Sequence, residues 1–157
     1  MGAEDAKRTY LVVVDDSEEA RVALRFAARR AAKTNGRVEV LGIVEPQDFV
    51  QFGGVQSAIE EEQKLRIEGV VSSAVGEILD ESGIEAAIIL QHGEPVKAVR
   101  DYVGERKEIA ALVLGAAPSG HPGPLVANFT GNDSGRLPCP VMIIPGSLSD
   151  ERLEQLS

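Results

Sequence analysis

The chain has 157 residues, a net charge of −9, one cysteine, no tryptophan and an aromatic content of 4%. This length suits a single domain. The negative charge argues against binding nucleic acid or an anionic membrane through general electrostatics, and the few aromatic rings offer no base-stacking platform. The lone Cys139 excludes an internal disulfide and fits a reducing compartment. No apolar run approaches the ~18 residues of a membrane span, and no signal peptide is apparent, so a cytoplasmic domain is expected.

Five short runs of apolar and β-branched residues predict β-strands, and several of them end at turn-forming residues. In chain order the predicted strands are Tyr10–Val14, Val38–Val44, Ala86–Leu90, Ala110–Leu114 and Val141–Ile144. Helical spacing of apolar residues predicts helices between them, at Glu18–Lys33, Ser57–Ser82, from Pro95 onward, and weakly at Leu125–Arg136.

Local signals mark the ends of these helices and the limits of the domain. Asp16 or Ser17 can cap the first helix, and Asn35-Gly36 ends it. A loop is predicted over residues 46–56. The domain is predicted over residues 10–146, between a flexible N-terminus (1–9) and a polar tail (147–157) that forms a frayed helix or no structure.

Strands that alternate with helices predict a doubly wound α/β fold, a parallel sheet with helices on both faces. Ligands of such sheets bind at the carboxyl ends of the strands. The loop that follows the fourth strand, residues 115–124, contains three glycines and three prolines and leaves that end of the sheet. Function therefore depends largely on what this loop can hold.

The order and spacing of several short motifs resemble the universal stress protein family over nearly the whole chain. These motifs are Val12-Val-Val-Asp-Asp-Ser17, Leu41-Gly-Ile-Val44, Gly93-Glu-Pro95, Leu112-Val-Leu-Gly115 and Pro138-Cys-Pro-Val141. The resemblance implies the sheet order 3-2-1-4-5 and a cytoplasmic homodimer joined through strand five. In many members it also implies a bound adenine nucleotide, so ATP or another adenine nucleotide is the cofactor to consider.

The phosphate loop of nucleotide-binding members reads G-x2-G-x9-G-[ST], and this chain departs from it. Gly115 matches the first glycine, but the second position holds Pro118, which has no amide hydrogen. The Gly-Ser pair falls on Ala127-Asn128, and Gly120 and Gly123 remain as substitutes in a shifted register. Losing two hydrogen bonds to a charged group costs roughly 3–6 kcal/mol, or about 10² to 10⁴ in affinity. The sequence therefore predicts weak or absent ATP binding.

Candidate site residues follow from the resemblance, and each also has a purely structural interpretation. Asp15 matches the aspartate that lies near adenine and ribose, and Val44 would touch adenine, although helix capping and core packing explain the same residue types. The candidate nucleotide-binding residues are Asp15, Ser17, Val44, Gly115, Gly120, Gly123 and Asn128.

Several enzyme classes are disfavoured. A receiver domain needs an aspartate after strand three and a lysine after strand five, where this chain has Gln91-His92 and Pro145. An adenylate-transferring enzyme of the broader superfamily needs glycines directly after strand one, and Asp15-Asp16-Ser17 has none. No Walker motif, nucleophile elbow or metal-ligand spacing occurs. No catalytic residue and no metal ligand is therefore predicted.

The fifth strand carries the dimer prediction. Val141, Met142, Ile143 and Ile144 are all apolar, and an edge strand of this kind invites pairing with another chain. The alternative is a monomer in which the tail covers that edge. The sequence thus predicts a dimeric binding or regulatory module of the stress response. The rival function is an ATP-binding member with slow ATPase activity.

Overall fold

A computed structural model describes residues 7–46 and 53–157, apart from the side chains of residues 53–57. In chain order the elements are β1 (Thr9–Val13), α1 (Glu18–Thr34), β2 (Arg37–Val44), α2 (Gly53–Ser82), β3 (Ala86–His92), α3 (Pro95–Glu105), β4 (Ile109–Ala116), α4 (Pro124–Phe129), β5 (Val141–Pro145) and α5 (Asp150–Leu156). Most of the predicted N-terminus and of the loop over 46–56 lies outside the described residues.

The five strands form one sheet in the order β3-β2-β1-β4-β5, and every neighbouring pair is parallel. This confirms the predicted doubly wound α/β fold. Because β1 lies between β2 and β4, the direction of strand addition reverses next to β1. Crevices at such a reversal are where open α/β sheets bind ligands.

Alternation along the strands divides the core between the two faces of the sheet. Tyr10 and Val12 face one cluster, which includes buried residues of α1, α2 and α5. Leu11 faces the other, which includes buried residues of α3 and α4. The side of α1 that meets the sheet is rich in alanine, with Ala23 and Ala27 fully buried, so this helix can lie close to the strands.

Capping residues account for several of the helix ends. The Ser17 hydroxyl accepts a hydrogen bond from the Ala20 amide at the start of α1, and Asn35 ends that helix in the left-handed conformation. The Glu94 carboxylate accepts from the first amides of α3, where Pro95 occupies a tolerated position.

Several predicted boundaries differ from the structure, most of them by one or two residues. Thr9 belongs to β1 rather than to the N-terminal segment, and α2 begins at Gly53 rather than Ser57. The weak helix predicted to Arg136 ends at Phe129 and continues as turns. Asp133 stabilises these turns, because its carboxylate accepts from the Asn128 side-chain amide at 2.7 Å and from Arg100 of α3 at 2.9 Å.

The tail forms the short helix α5, which packs on α1. Leu153 is completely buried in the cluster that contains the α1 alanines. Arg29 donates to the Asp150 carbonyl oxygen at 3.0 Å, and Lys33 donates to that of Glu154 at 2.7 Å. The tail is therefore a docked helix, neither frayed nor unstructured. Within the described residues, none of the helices combines the length and apolar character needed to cross a bilayer.

Candidate functional site

A cavity of about 310 Å³ opens at the carboxyl ends of β1, β2 and β4. It lies at the reversal of strand order, where the fold predicts a ligand site. Its lining comes from the ends of these three strands, the first turn of α1, the middle of α2, Pro95 at the start of α3, and the region from the β4–α4 loop into α4. The cavity volume is near the lower end of the ~300–1,000 Å³ that is usual for small-molecule pockets.

The walls of the cavity are apolar and come mainly from the α3/α4 side of the sheet. They include Val13, Ile43, Leu114, Leu125 and Val126, with Ile67 contributed by α2. Such walls suit a flat or apolar portion of a ligand, because contact removes apolar surface from water.

The polar lining is predominantly acidic. Four acidic residues, Asp15, Asp16, Glu19 and Glu45, belong to the described lining, and Arg66 is its one basic residue. Arg66 donates a hydrogen bond to Asp16 and forms an ion pair with it across the space between α2 and the start of α1. The charged group that could attract an anion is thus already paired.

Asp15 and Ser17 form a compact hydrogen-bonded turn after β1. The Ser17 amide and hydroxyl both donate to Asp15 Oδ1, at 2.9 and 2.5 Å. The Ser17 hydroxyl oxygen in turn accepts from the Ala20 amide at 3.2 Å. Both bonds to Asp15 reach the same oxygen, so Oδ2 is the atom with capacity to accept from a ligand.

Gly115 has a packing role that the sequence interpretation did not anticipate. A Cβ atom at this position would lie 2.1 Å from the Glu19 carbonyl oxygen and 2.5 Å from its carbonyl carbon. The end of β4 and the first turn of α1 are therefore in direct backbone contact, and no side chain fits between them. This backbone contact is sufficient by itself to require a glycine at position 115.

Two backbone amides of the loop over residues 117–123 donate hydrogen bonds to acceptors within the same loop. Ala117 donates to the Pro122 carbonyl oxygen at 3.3 Å, and Gly123 donates to His121 Nδ1 at 3.0 Å. Pro118, Pro122 and Pro124 have no amide hydrogen to offer. Five of the backbone positions around this loop are thus unable to donate to a phosphate in this conformation.

A sequence model of the universal stress protein family matches residues 7–145. The chain belongs to the universal stress protein family. A search of curated protein sequences finds no significant match.

Solved structures of universal stress proteins share the fold at low sequence identity. The universal stress protein UspA from Lactobacillus plantarum superposes with a TM-score of 0.73 at 19% identity, covering 87% of this chain and 97% of that one. A universal stress protein from Archaeoglobus fulgidus in complex with dAMP gives 0.63 at 22% identity, covering 88% and 97%. A family protein from Arabidopsis thaliana with AMP bound gives 0.62 at 18% identity, covering 92% and 94%.

The cavity of this universal stress protein brings together four of the seven predicted nucleotide-binding residues, namely Asp15, Ser17, Gly115 and Gly123. The described cavity lining does not include Val44, Gly120 or Asn128. Ile43 lines the cavity instead of Val44, because successive strand residues point to opposite faces of the sheet. The Asn128 side-chain amide donates a hydrogen bond to the Asp133 carboxylate. This bond, together with the one from Arg100, lowers the pKa of the Asp133 carboxyl. A role in binding stays a prediction for all seven.

Arg66, Glu45 and Glu19 are cavity residues that sequence reasoning missed. Arg66 stands thirteen residues into α2 as the structure has it, so no local motif connects it with the strand ends. His92 lies on a second, polar cavity of about 230 Å³ beside α3 and is not part of the described lining of the first.

A polar network lies on the α3 side of the sheet. The Tyr102 hydroxyl donates to the nearly buried Glu39 carboxylate at 2.7 Å, and Arg106 donates to Glu39 at 2.9 Å. Burial, followed by the hydrogen bond to the negatively charged Glu39, raises the pKa of Tyr102 to about 12. With its charges paired, this network anchors α3 to β2.

Proposed function

We propose that this universal stress protein is a cytoplasmic, homodimeric binding or regulatory module of the stress response with weak or no ATP binding. The observation that carries the proposal is the self-closed loop after β4. Its amides at Ala117 and Gly123 are used within the loop, and its prolines donate nothing. A triphosphate would need those donors, because buried anions require hydrogen-bond partners.

The acidic lining supports the same proposal. ATP carries several negative charges, and it would approach a lining with four acidic residues and one basic residue, Arg66, which is paired with Asp16. Like charges at close range oppose binding, and because Asp15, Asp16 and Glu45 are exposed to solvent, this repulsion is screened by salt. Relatives of the same fold bind AMP and dAMP, so an adenine nucleotide remains the ligand class to test.

Titration calorimetry with ATP and Mg²⁺ up to millimolar concentration tests this function. We expect a dissociation constant of about 1 mM or weaker, as the loss of two phosphate hydrogen bonds implies. Restoring the family pattern with Pro118→Gly, Ala127→Gly and Asn128→Ser together should tighten binding at least about tenfold. A low-micromolar constant for the wild type, weakened by Asp15→Ala, would contradict the proposal.

The second candidate is an ATP-binding member with slow ATPase activity. The observation that favours it is that Asp15 lies on a cavity with apolar walls at the strand ends, a place that suits adenine and ribose. Phosphate release from purified protein separates the two candidates. Turnover that disappears in Asp15→Ala supports the ATPase, and turnover unchanged by that substitution indicates a contaminating enzyme.

Dimerisation through β5 completes the proposal. Within the described residues β4 is the strand that pairs with β5, so the other side of β5 is the edge of the sheet. Val141, Met142 and Ile143 are partly exposed there, with Ile144 in the core. Helix α5 packs on α1, which leaves a second copy of the chain as the proposed partner of this edge.

A further inference from the structure

We propose that the cavity selects an uncharged nucleoside over the phosphate esters of the same nucleoside. This inference rests on the proposed function, since it names the ligand class of the same site. It differs from weak ATP binding, because it requires the cavity to bind the nucleoside itself and to discriminate against even one phosphate.

The size of the cavity suits the nucleoside portion alone. Its volume of about 310 Å³ is bounded by Val13, Ile43 and Leu114 at the strand ends and by Ile67 on α2. These residues offer apolar surface to a heteroaromatic base. Any phosphate attached to the sugar would have to lie at the rim, among the charged side chains.

The charge of the rim opposes a phosphate. Glu19 and Glu45 line the cavity together with Asp15 and Asp16, and Arg66 is the one basic residue on the described lining. Because Arg66 is paired with Asp16, with side chains 57% and 61% exposed, an arriving phosphate must either compete with that carboxylate or remain without a counter-charge. An uncharged ligand meets neither cost.

The donors and acceptors of the site also favour hydroxyl and amino groups over phosphate oxygens. The amides of Ala117 and Gly123 are bonded inside the loop, so neither of them can donate to an anion in this conformation. The Asp15 carboxylate accepts but cannot donate, and its Oδ2 has capacity for a ligand donor. Ribose hydroxyls and an exocyclic amine supply such donors.

The test compares adenosine, AMP and ATP, without Mg²⁺, by calorimetry and by saturation-transfer NMR on the full chain. We expect adenosine to bind at least about tenfold more tightly than AMP, since one repelled phosphate is worth on the order of that factor. Raising the salt concentration should tighten AMP binding by screening the repulsion and leave adenosine unchanged.

Charge-neutralising variants test which residues cause the preference for adenosine over AMP. Glu19→Gln with Glu45→Gln should tighten AMP binding about fivefold and change adenosine binding by less than about twofold. The matched control is Asp80→Asn with Glu85→Gln, which removes two exposed carboxylates near the start of β3, at the opposite end of the sheet. This control should change the affinity for neither AMP nor adenosine.

Each outcome bears on one proposal or on both. Equal affinities for adenosine and AMP, or no adenosine binding up to its solubility, would overturn the nucleoside inference and leave weak ATP binding intact. Low-micromolar ATP binding would overturn the proposed function, and the nucleoside inference with it. Preference for adenosine that persists unchanged in the Glu19/Glu45 double variant would refute the charge mechanism argued above.

Discussion

At Gly115, the space for a side chain is occupied by the backbone of the neighbouring helix. The Glu19 carbonyl oxygen lies 2.1 Å from where a Cβ would be, so even alanine requires β4 and α1 to separate. Gly69, on α2, has no atom within 4 Å of the corresponding position. A side chain added at Gly115 would therefore collide with the backbone, whereas one added at Gly69 would meet open space.

Gly115→Ala should lower the free energy of unfolding by about 1–3 kcal/mol through overpacking. Gly69→Ala, the matched control, should raise it by roughly 0.5–1 kcal/mol, because alanine is the better helix former. Urea denaturation measures both. If Gly115→Ala proved as stable as the wild type, Gly115 would have no packing role and would be left with a binding role alone.

Tyr102 shows how burial controls ionisation at one residue. Its pKa is raised from 10.0 to about 12, so between these values the phenol is neutral in the folded protein and ionised in the unfolded one. The resulting stabilisation is complete below pH 10 and is lost as the pH rises through 12. Unfolding free energies measured from pH 9 to 12 should therefore fall more steeply for the wild type than for Tyr102→Phe. Parallel curves would contradict the expected ionisation.

Among the elements, α5 depends on one buried side chain and several contacts with α1. Leu153 is fully buried, whereas Leu156 on the same helix is 46% exposed. The ion pairs of Arg29 and Lys33 both use the exposed carboxylate of Glu154 at 3.5 Å, so they contribute little by themselves. The apolar contact should therefore determine whether the helix docks.

Leu153→Ala should lower the free energy of unfolding by about 2–3 kcal/mol and release α5 to rapid hydrogen exchange. Leu156→Ala should change it by less than about 0.5 kcal/mol. Comparable losses in the two variants would show that docking does not depend on the buried contact.

Sequence reasoning succeeded where local chemistry determines the element. Apolar strand runs, the Ser17 cap and Pro95 at the start of α3 all act within a few residues, and the predicted order of elements is confirmed. Sequence reasoning failed where the site depends on contacts between residues that are far apart in the sequence. Arg66 lies at the strand ends because of the position of α2 in the fold, which no local motif indicates. Ile43 lines the cavity where Val44 is expected, because the face of β2 that meets the cavity is set by the packing of the sheet.

For the whole molecule, the proposed dimer and the proposed site lie on neighbouring parts of the sheet. β4 contributes Leu114 and Gly115 to the cavity and pairs along its other side with β5, in the register Leu114 to Ile143. A second copy that pairs with β5 would therefore be separated from the cavity by one strand.

Ile143→Lys should convert the dimer to a monomer at tens of micromolar, because it places a charge on the edge that the partner would cover. Ile89→Lys is the matched control, since Ile89 is likewise partly buried on an edge strand, β3, and packs in the same core cluster. Light scattering should show the control still dimeric, although both variants lose stability. A monomeric wild type would refute the dimer.

The contacts of Glu19 determine where this protein can vary between related species. Its backbone closes the space at Gly115, and its Cβ lies 2.8 Å from where a Cβ of Gly146 would be, so two positions in the chain accept no side chain. Glu45 and Glu19 also line the cavity, and a change in either side chain beyond Cβ would leave those two glycine contacts in place. We therefore expect inherited changes of ligand preference to accumulate at these rim positions, while the glycines stay fixed and the fold is unaltered.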